Sequence, residues 1–257
     1  ILMNTGYKLI GKCLDDDYCQ KLFNQINSAY QEYIMNSSTL AGGISGHLNC
    51  VLGEESPIIL ERLKEYNGMK EIANFFQIDV DNYHLQVGCN VNLPGSRLQH
   101  IHYDGDYDEE SFILNIPLID TTKVNGAIKL IPESHLLKRS YLGYLLSGIS
   151  KRTLQIESTQ GQGLIRSSNV WHRGTPNRTD TIRPMLNIVF YKIGSSYSKD
   201  AIKDGLQYAE GRIRFRDNWY LATSLPRRLQ EYAYVYFPFF HSFTRIIKSL
   251  FKAKDIL

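Results

Sequence analysis

The chain has 257 residues, of which 43% are hydrophobic and 21% charged, with a formal net charge of +3. That length supports one sizeable core, the composition excludes disorder as the default, and a charge this mild, with no long Lys/Arg block, excludes nucleic acid as the expected partner. No run of 18 apolar residues occurs, so no spanning helix is expected. Cys13, Cys19, Cys50 and Cys89 form no CxxC pair and read as reduced, buried thiols. The first residues, Ile1-Leu2-Met3-Asn4, hold no basic region ahead of an apolar core. No secretory leader is therefore expected, and the cytoplasm is the expected compartment.

In chain order, residues 7–12 read as a short strand. Asp15, Asp16 and Asp17 then offer N-cap carboxylates to a helix over Tyr18–Met35. Its apolar positions Leu22, Phe23, Ile26, Tyr30 and Ile34 follow a helical period. Ala41–Gly46 reads as a glycine-rich turn or loop and lacks the Lys of a phosphate-binding loop. Glu54–Phe76 reads as a second helical region, with Ser56-Pro57 near its start and Gly68 as a break. From about residue 79 the pattern changes to short strands: Tyr83–Asn92, Phe112–Leu118, Gly126–Pro132, Thr153–Ser158, Gly163–Ser167 and Arg183–Ile193. Helices first and many short strands second predict an α+β fold, a sandwich or jelly roll buttressed by helices on one side.

The expected division is one domain over residues 1–193, with helices in 15–76 and strands in 79–193, and an extension over 194–257 packed on the same domain. Within the extension, 232–243 is strongly aromatic. Residues 243–254 read as a basic amphipathic helix with Phe243, Ile246, Ile247, Leu250 and Phe251 on one face. Two readings of 232–254 stand side by side: peripheral membrane contact, or docking on the chain's own barrel or on a second copy.

The first chemical signal is Gln99-His100-Ile101-His102-Tyr103-Asp104. On an extended strand residues i and i+2 share a face, so His102 and Asp104 can reach one ion together. His172, in Val170-Trp171-His172, is the candidate third ligand. Two imidazoles and a carboxylate on one face leave three positions open, the arrangement of non-haem Fe(II) oxygenases. An HxD pair alone is weak, since both residues are common at surfaces. The downstream segment strengthens it. A turn of Gly, Pro, Asn and Asp follows His172 and leads to Arg183, which opens an apolar strand. An Arg fork grips a planar carboxylate with two parallel hydrogen bonds. A rival trio of His100, His102 and His172 would be zinc-like. His135 reads as a structural histidine and Trp171 as packing beside the metal.

These motifs resemble the phytanoyl-CoA dioxygenase superfamily over roughly residues 6–193. Gly6-Tyr7 and Cys13-Leu14-Asp15-Asp16 are similar to its opening strand and first helix, and Asn92-Leu93-Pro94-Gly95-Ser96 to its approach to the first iron ligands. Asn125-Gly126 through Pro132-Glu133-Ser134-His135 is similar to its NG…PGSH segment, with Glu133 standing where Gly is usual. His172, Asn177 and Arg183 fall in the family's order. The resemblance implies a double-stranded β-helix core that uses Fe(II), 2-oxoglutarate and O2. Iron would be held by His102, Asp104 and His172, and the C5 carboxylate of 2-oxoglutarate by Arg183. Gln86 and Asn115 are, by strand position, the candidates for its C1 end. In related iron halogenases a small residue replaces the carboxylate ligand, so Asp104 points to hydroxylation. The substrate is expected to be a small, polar molecule rather than a CoA thioester, since no CoA-phosphate patch is evident. A non-catalytic jelly-roll binding module would be marked by loss of a ligand or of the Arg, and neither is lost.

Overall fold

The computed structural model describes residues 5–36, 46–66, 68–104, 110–136, 143, 146, 152–195 and 210–215. The segments 232–243 and 243–254, and most of the glycine-rich stretch 41–46, lie outside the described residues.

The chain begins with β1 (Tyr7–Lys12) and α1 (Asp16–Asn36). Asp15 caps the helix by accepting from the Tyr18 backbone N–H at 2.7 Å. Leu22 and Ile26 are fully buried, with Phe23, Ala29, Tyr30 and Tyr33 packed against the same core. Ile34, expected on this stripe, is 36% exposed. The buried face instead runs through Tyr33, whose ring meets Phe215. β2 (His47–Val51) follows, a strand that periodicity alone did not reveal. The second helical region is two helices, α2 (Glu55–Glu65) and α3 (Gly68–Phe76), so Gly68 opens a new helix.

The remaining strands are β3 (Tyr83–Asn92), β4 (Ser111–Pro117), β5 (Ile128–Leu130), β6 (Leu154–Ile156), β7 (Gln162–Ser167), β8 (His172–Arg173), β9 (Arg183–Lys192) and β10 (Arg214–Phe215). One sheet has the order β1-β7-β4-β9-β3-β2-β10 and the other β6-β5-β8. All the strand pairings are antiparallel. With the helices on the outer face of the larger sheet, this is the expected α+β jelly roll.

Side-chain alternation gives the larger sheet two different faces. On β9, Leu186, Ile188 and Phe190 are fully buried in the core shared with α1, α2 and α3. Arg183, Met185, Asn187, Val189 and Tyr191 point the other way, into a cavity between the sheets. Ser111, Ile113 and Asn115 of β4 do the same, in register with Tyr191, Val189 and Asn187. All four cysteines are free and buried, as expected.

Past β5 the chain turns through Pro132-Glu133 into a 3-10 turn, Ser134–Leu136. Glu133 has φ of +63°, the left-handed region where a Cβ is penalised. That explains why glycine is usual here. The Glu133 side chain is exposed, and its ion pair with Arg152 is long, at 3.8 Å, so it compensates little. Glu133→Gly should therefore stabilise the fold by about 0.5–1 kcal/mol, the relief of left-handed strain less the extra unfolded-state entropy of glycine. Urea unfolding midpoints of the two proteins check this, and a lower midpoint for Glu133→Gly would show that the side chain's contacts outweigh the strain.

Candidate metal and co-substrate site

His102 and His172 are joined by two backbone hydrogen bonds, His102 N–H to His172 O at 3.0 Å and His172 N–H to His102 O at 2.7 Å. This isolated bridge, rather than a full strand at His102, sets the two imidazoles side by side with centroids 4.4 Å apart. The Asp104 N–H then donates to Ser168 O at 2.8 Å, which turns its carboxylate towards both rings.

The tautomers follow from the local chain. His102 Nδ1 lies 2.9 Å from the His100 carbonyl and His172 Nδ1 lies 3.0 Å from the Val170 carbonyl. A carbonyl only accepts, so each Nδ1 carries the proton and each Nε2 presents a lone pair. Those Nε2 atoms sit 3.5 Å from Asp104 Oδ1 and 3.3 Å from Asp104 Oδ2, respectively. Donors bonded at right angles to a metal at ordinary bond lengths lie about 3 Å apart, so the set fits one divalent ion. Among the described residues this trio is the one group whose atoms could hold a metal, and His100 is not part of it. Burial pushes His172 well below its ordinary pKa and keeps the ring neutral. Loss of hydration works against ionisation of Asp104, but the Arg166 guanidinium 2.7 Å away holds its carboxyl below the usual range.

Arg183 opens β9 at the same cavity, 4% exposed. Its Nη2 donates to Gly126 O at 2.9 Å, while its Nε is buried without a partner. Among the described residues no carboxylate pairs with it. Burial draws its pKa down to about 10, so it stays a cation at neutral pH. Asn177 fixes the turn that delivers it. Its side chain donates to Asn92 O and Thr181 O and accepts from Thr179, and its backbone N–H donates to Ser96 Oγ. Trp171, fully buried, packs on Ile101, Ile131 and Tyr103, and its backbone N–H donates to Ser134 Oγ at 2.9 Å.

The cavity has a volume of about 320 Å³ and contains His102, Asp104, His172, Arg183 and Asn115. Gln86 shares the cavity-facing side of β3 but does not line the cavity; Asn90, four residues further along the strand, does. Arg166, Gln99 and His47 also line the cavity, and no ligand role was read for them from the sequence. Arg166 on β7 is 3% exposed and donates to Asp104 Oδ2 at 2.7 Å. A charged residue inside the apolar run Gly163-Leu164-Ile165 was its signal. Gln99 accepts from the Gly174 N–H at 2.8 Å and its own N–H donates to Gly174 O, tying the two ligand-bearing segments together. His47 at the start of β2 donates from Nε2 to Arg97 O at 2.8 Å. The adjacent glycine run read as a loop and hid the strand.

An open-faced His-Asp-His trio in the mouth of a jelly roll defines the class of non-haem metal oxygenases. A family model described as Phytanoyl-CoA dioxygenase (PhyH) matches residues 5–185. The chain belongs to this family of Fe(II)- and 2-oxoglutarate-dependent oxygenases. Solved structures share the fold. AviO1 from Streptomyces viridochromogenes Tue57 is 16% identical with a TM-score of 0.57, over 76% of this chain and 93% of that one. SnoN, a non-haem α-ketoglutarate-dependent epimerase from nogalamycin biosynthesis, is 15% identical with a TM-score of 0.58, over 77% and 86%. EvdO2 from Micromonospora carbonacea var. aurantiaca, complexed with 2-oxoglutarate, is 14% identical with a TM-score of 0.56, over 74% and 88%. At these identities the likeness is one of fold.

The buried imidazoles predict an acid limit for the metal-free protein. Burial lowers His47 from 6.5 to about 4. Below pH 6.5 the unfolded chain takes a proton that folded His47 refuses, so stability is full above 6.5 and falls as pH drops towards 4. His172 contributes with the same sign. Each such group gives a slope of at most about 1.4 kcal/mol per pH unit. Urea midpoints at pH 7 and pH 5 should therefore differ, and His47→Gln should shrink the difference. An equal drop in the variant would place the sensitivity elsewhere.

Proposed function

We propose that this protein hydroxylates a C–H bond of a small, polar molecule, using Fe(II), 2-oxoglutarate and O2, with succinate and CO2 as co-products. The observation that carries the reading is Arg183. A buried cation with an unpartnered Nε and, among the described residues, no carboxylate partner, in the cavity that holds the trio, calls for an anionic ligand. The C5 carboxylate of 2-oxoglutarate is such a ligand, and the guanidinium fork would fix its pose.

His102, Asp104 and His172 would hold the iron, each histidine presenting its Nε2 and Asp104 an ionised carboxylate. Bound there with 2-oxoglutarate, iron supplies the oxidising power of O2. The chain's own part is orientation and exclusion of water. Trp171 and Ile101, each next in sequence to one of the histidines, pack together with Ile131, and Met185, Val189, Ile113 and Ile128 make part of the cavity apolar. Asn115 lines the cavity, and its amide is engaged with Arg166 and Asn187, so its role is to set neighbouring groups rather than to hold the C1 carboxylate. Asn90 suits that contact better than Gln86 does. Residues 232–254 keep their two readings, a membrane surface or a protein surface. Among the described residues no helix is long and apolar enough to cross a membrane.

The purified protein should bind one Fe(II) per chain, and His102→Ala or His172→Ala should abolish it in an anaerobic titration. Undiminished affinity in both variants would remove the metal assignment. Arg183→Ala should leave iron binding intact and weaken 2-oxoglutarate binding about tenfold or more, the loss expected for a charge-assisted hydrogen-bond pair. Calorimetry on the iron-loaded protein reads this, and unchanged affinity would mean that another cation holds the C5 end.

A further inference from the structure

Arg166 is buried at the penultimate position of β7, directly after the apolar pair Leu164-Ile165. Its guanidinium is held on two sides. Nη2 donates to Asp104 Oδ2 at 2.7 Å and Nε donates to Asn115 Oδ1 at 3.1 Å. Asn115 Nδ2 in turn donates to Asn187 Oδ1 at 2.5 Å, and these two asparagines face each other across β4 and β9. A polar chain across three strands thus fixes the guanidinium from behind and aims one N–H at one oxygen of the candidate iron ligand. Among the described residues Asp104 is the carboxylate with which Arg166 forms an ion pair.

We propose that Arg166 is a positioning residue that restricts Asp104 to one-oxygen coordination and so keeps a metal position free for 2-oxoglutarate. The inference rests on the function proposed above. Chelation by both carboxylate oxygens would bring the metal against the guanidinium, and two cations sharing Oδ2 repel at close range. An ion at the trio would then bond through Oδ1, 3.5 Å from His102 Nε2, while Oδ2, 3.3 Å from His172 Nε2, would stay with the guanidinium at 2.7 Å. The count of positions makes this matter. An octahedral ion held by two imidazoles and one oxygen keeps three sites, enough for a two-atom chelate of 2-oxoglutarate and for O2. A second carboxylate oxygen would leave two. Arg166 also competes with the metal for Asp104, so it gives up some metal affinity to keep the site open.

That trade sets a test whose two readouts move in opposite directions. Fe(II) affinity, and 2-oxoglutarate affinity of the Fe(II)-loaded protein, are measured anaerobically on the full chain, native and Arg166→Met. The variant is expected to bind Fe(II) as tightly as the native protein or up to about tenfold more tightly, and 2-oxoglutarate at least about tenfold more weakly, the scale of one charge-assisted contact. Arg166→Lys keeps the charge without the fork and should lie between, with near-native Fe(II) affinity. It carries the test if Arg166→Met does not fold. A parallel fall of both affinities would reduce Arg166 to a structural residue and overturn the proposal, and so would unchanged 2-oxoglutarate affinity. If the native protein itself bound neither Fe(II) nor 2-oxoglutarate, the proposed function would fail first, a result distinct from either.

Discussion

The reciprocal pair of backbone hydrogen bonds between His102 and His172 is the contact on which the site depends. It joins two segments seventy residues apart in sequence, and it works through the main chain, so it does not compete with the rings for their nitrogens. Each ring then spends Nδ1 on a carbonyl two residues back in its own segment, a local bond that needs no distant partner. Ligand geometry is thus prepared before any ion arrives. Gln99 and Gly174 repeat the clasp one step further along, and a side chain on Gly174 would strike both Gln99 and His47. The clasp is tight because that residue is glycine.

Around this clasp the fold buries two guanidiniums with uneven compensation. Asp104 and Arg166 answer one another, and Arg166 is further satisfied by Asn115. Among the described residues Arg183 has a carbonyl and no anionic partner. A buried cation left in this state destabilises the protein that carries it. The hydrophobic face of the same sheet opposes that cost, since β9 places Leu186, Ile188 and Phe190 in the helix-covered core on alternate residues with the cavity side chains. One strand therefore holds the protein together and spends part of the resulting stability on binding.

Much of this was legible in the sequence because the signals were local. The HxD spacing, the turn between His172 and Arg183, and the Asp15 cap each lie within a dozen residues. Glu133 was legible as a departure, and the backbone supplied its reason, a left-handed φ that glycine would adopt freely. Less legible were features fixed by pairing between distant strands. β2 earns its assignment from register with β3, β8 has two residues and exists because β5 lies beside it, and the choice between Gln86 and Asn90 depends on where along β9 the cavity opens. Ile34 shows the same limit on a helix, where a period chooses a face but the neighbour, here Phe215 beside Tyr33, decides where burial stops.

The edges of the larger sheet carry a consequence of their own. β1 ends one side and β10 the other. β1 shows exposed Lys8 and Lys12 and an irregular register between Leu9 and Lys12. β10 has two residues, with Arg214 exposed and Phe215 tucked against Tyr30 and Tyr33. A strand edge that is long, flat and apolar templates the addition of a foreign strand. Among the described residues one edge is charged and bent, and the other is a two-residue strand with Arg214 exposed. β2, longer and more apolar, lies one place in. Among the described residues the pairing of Arg214 and Phe215 with Val51 and Cys50 is what covers the outer edge of β2, so weakening it should favour association with other chains before it disturbs His102, Asp104 and His172.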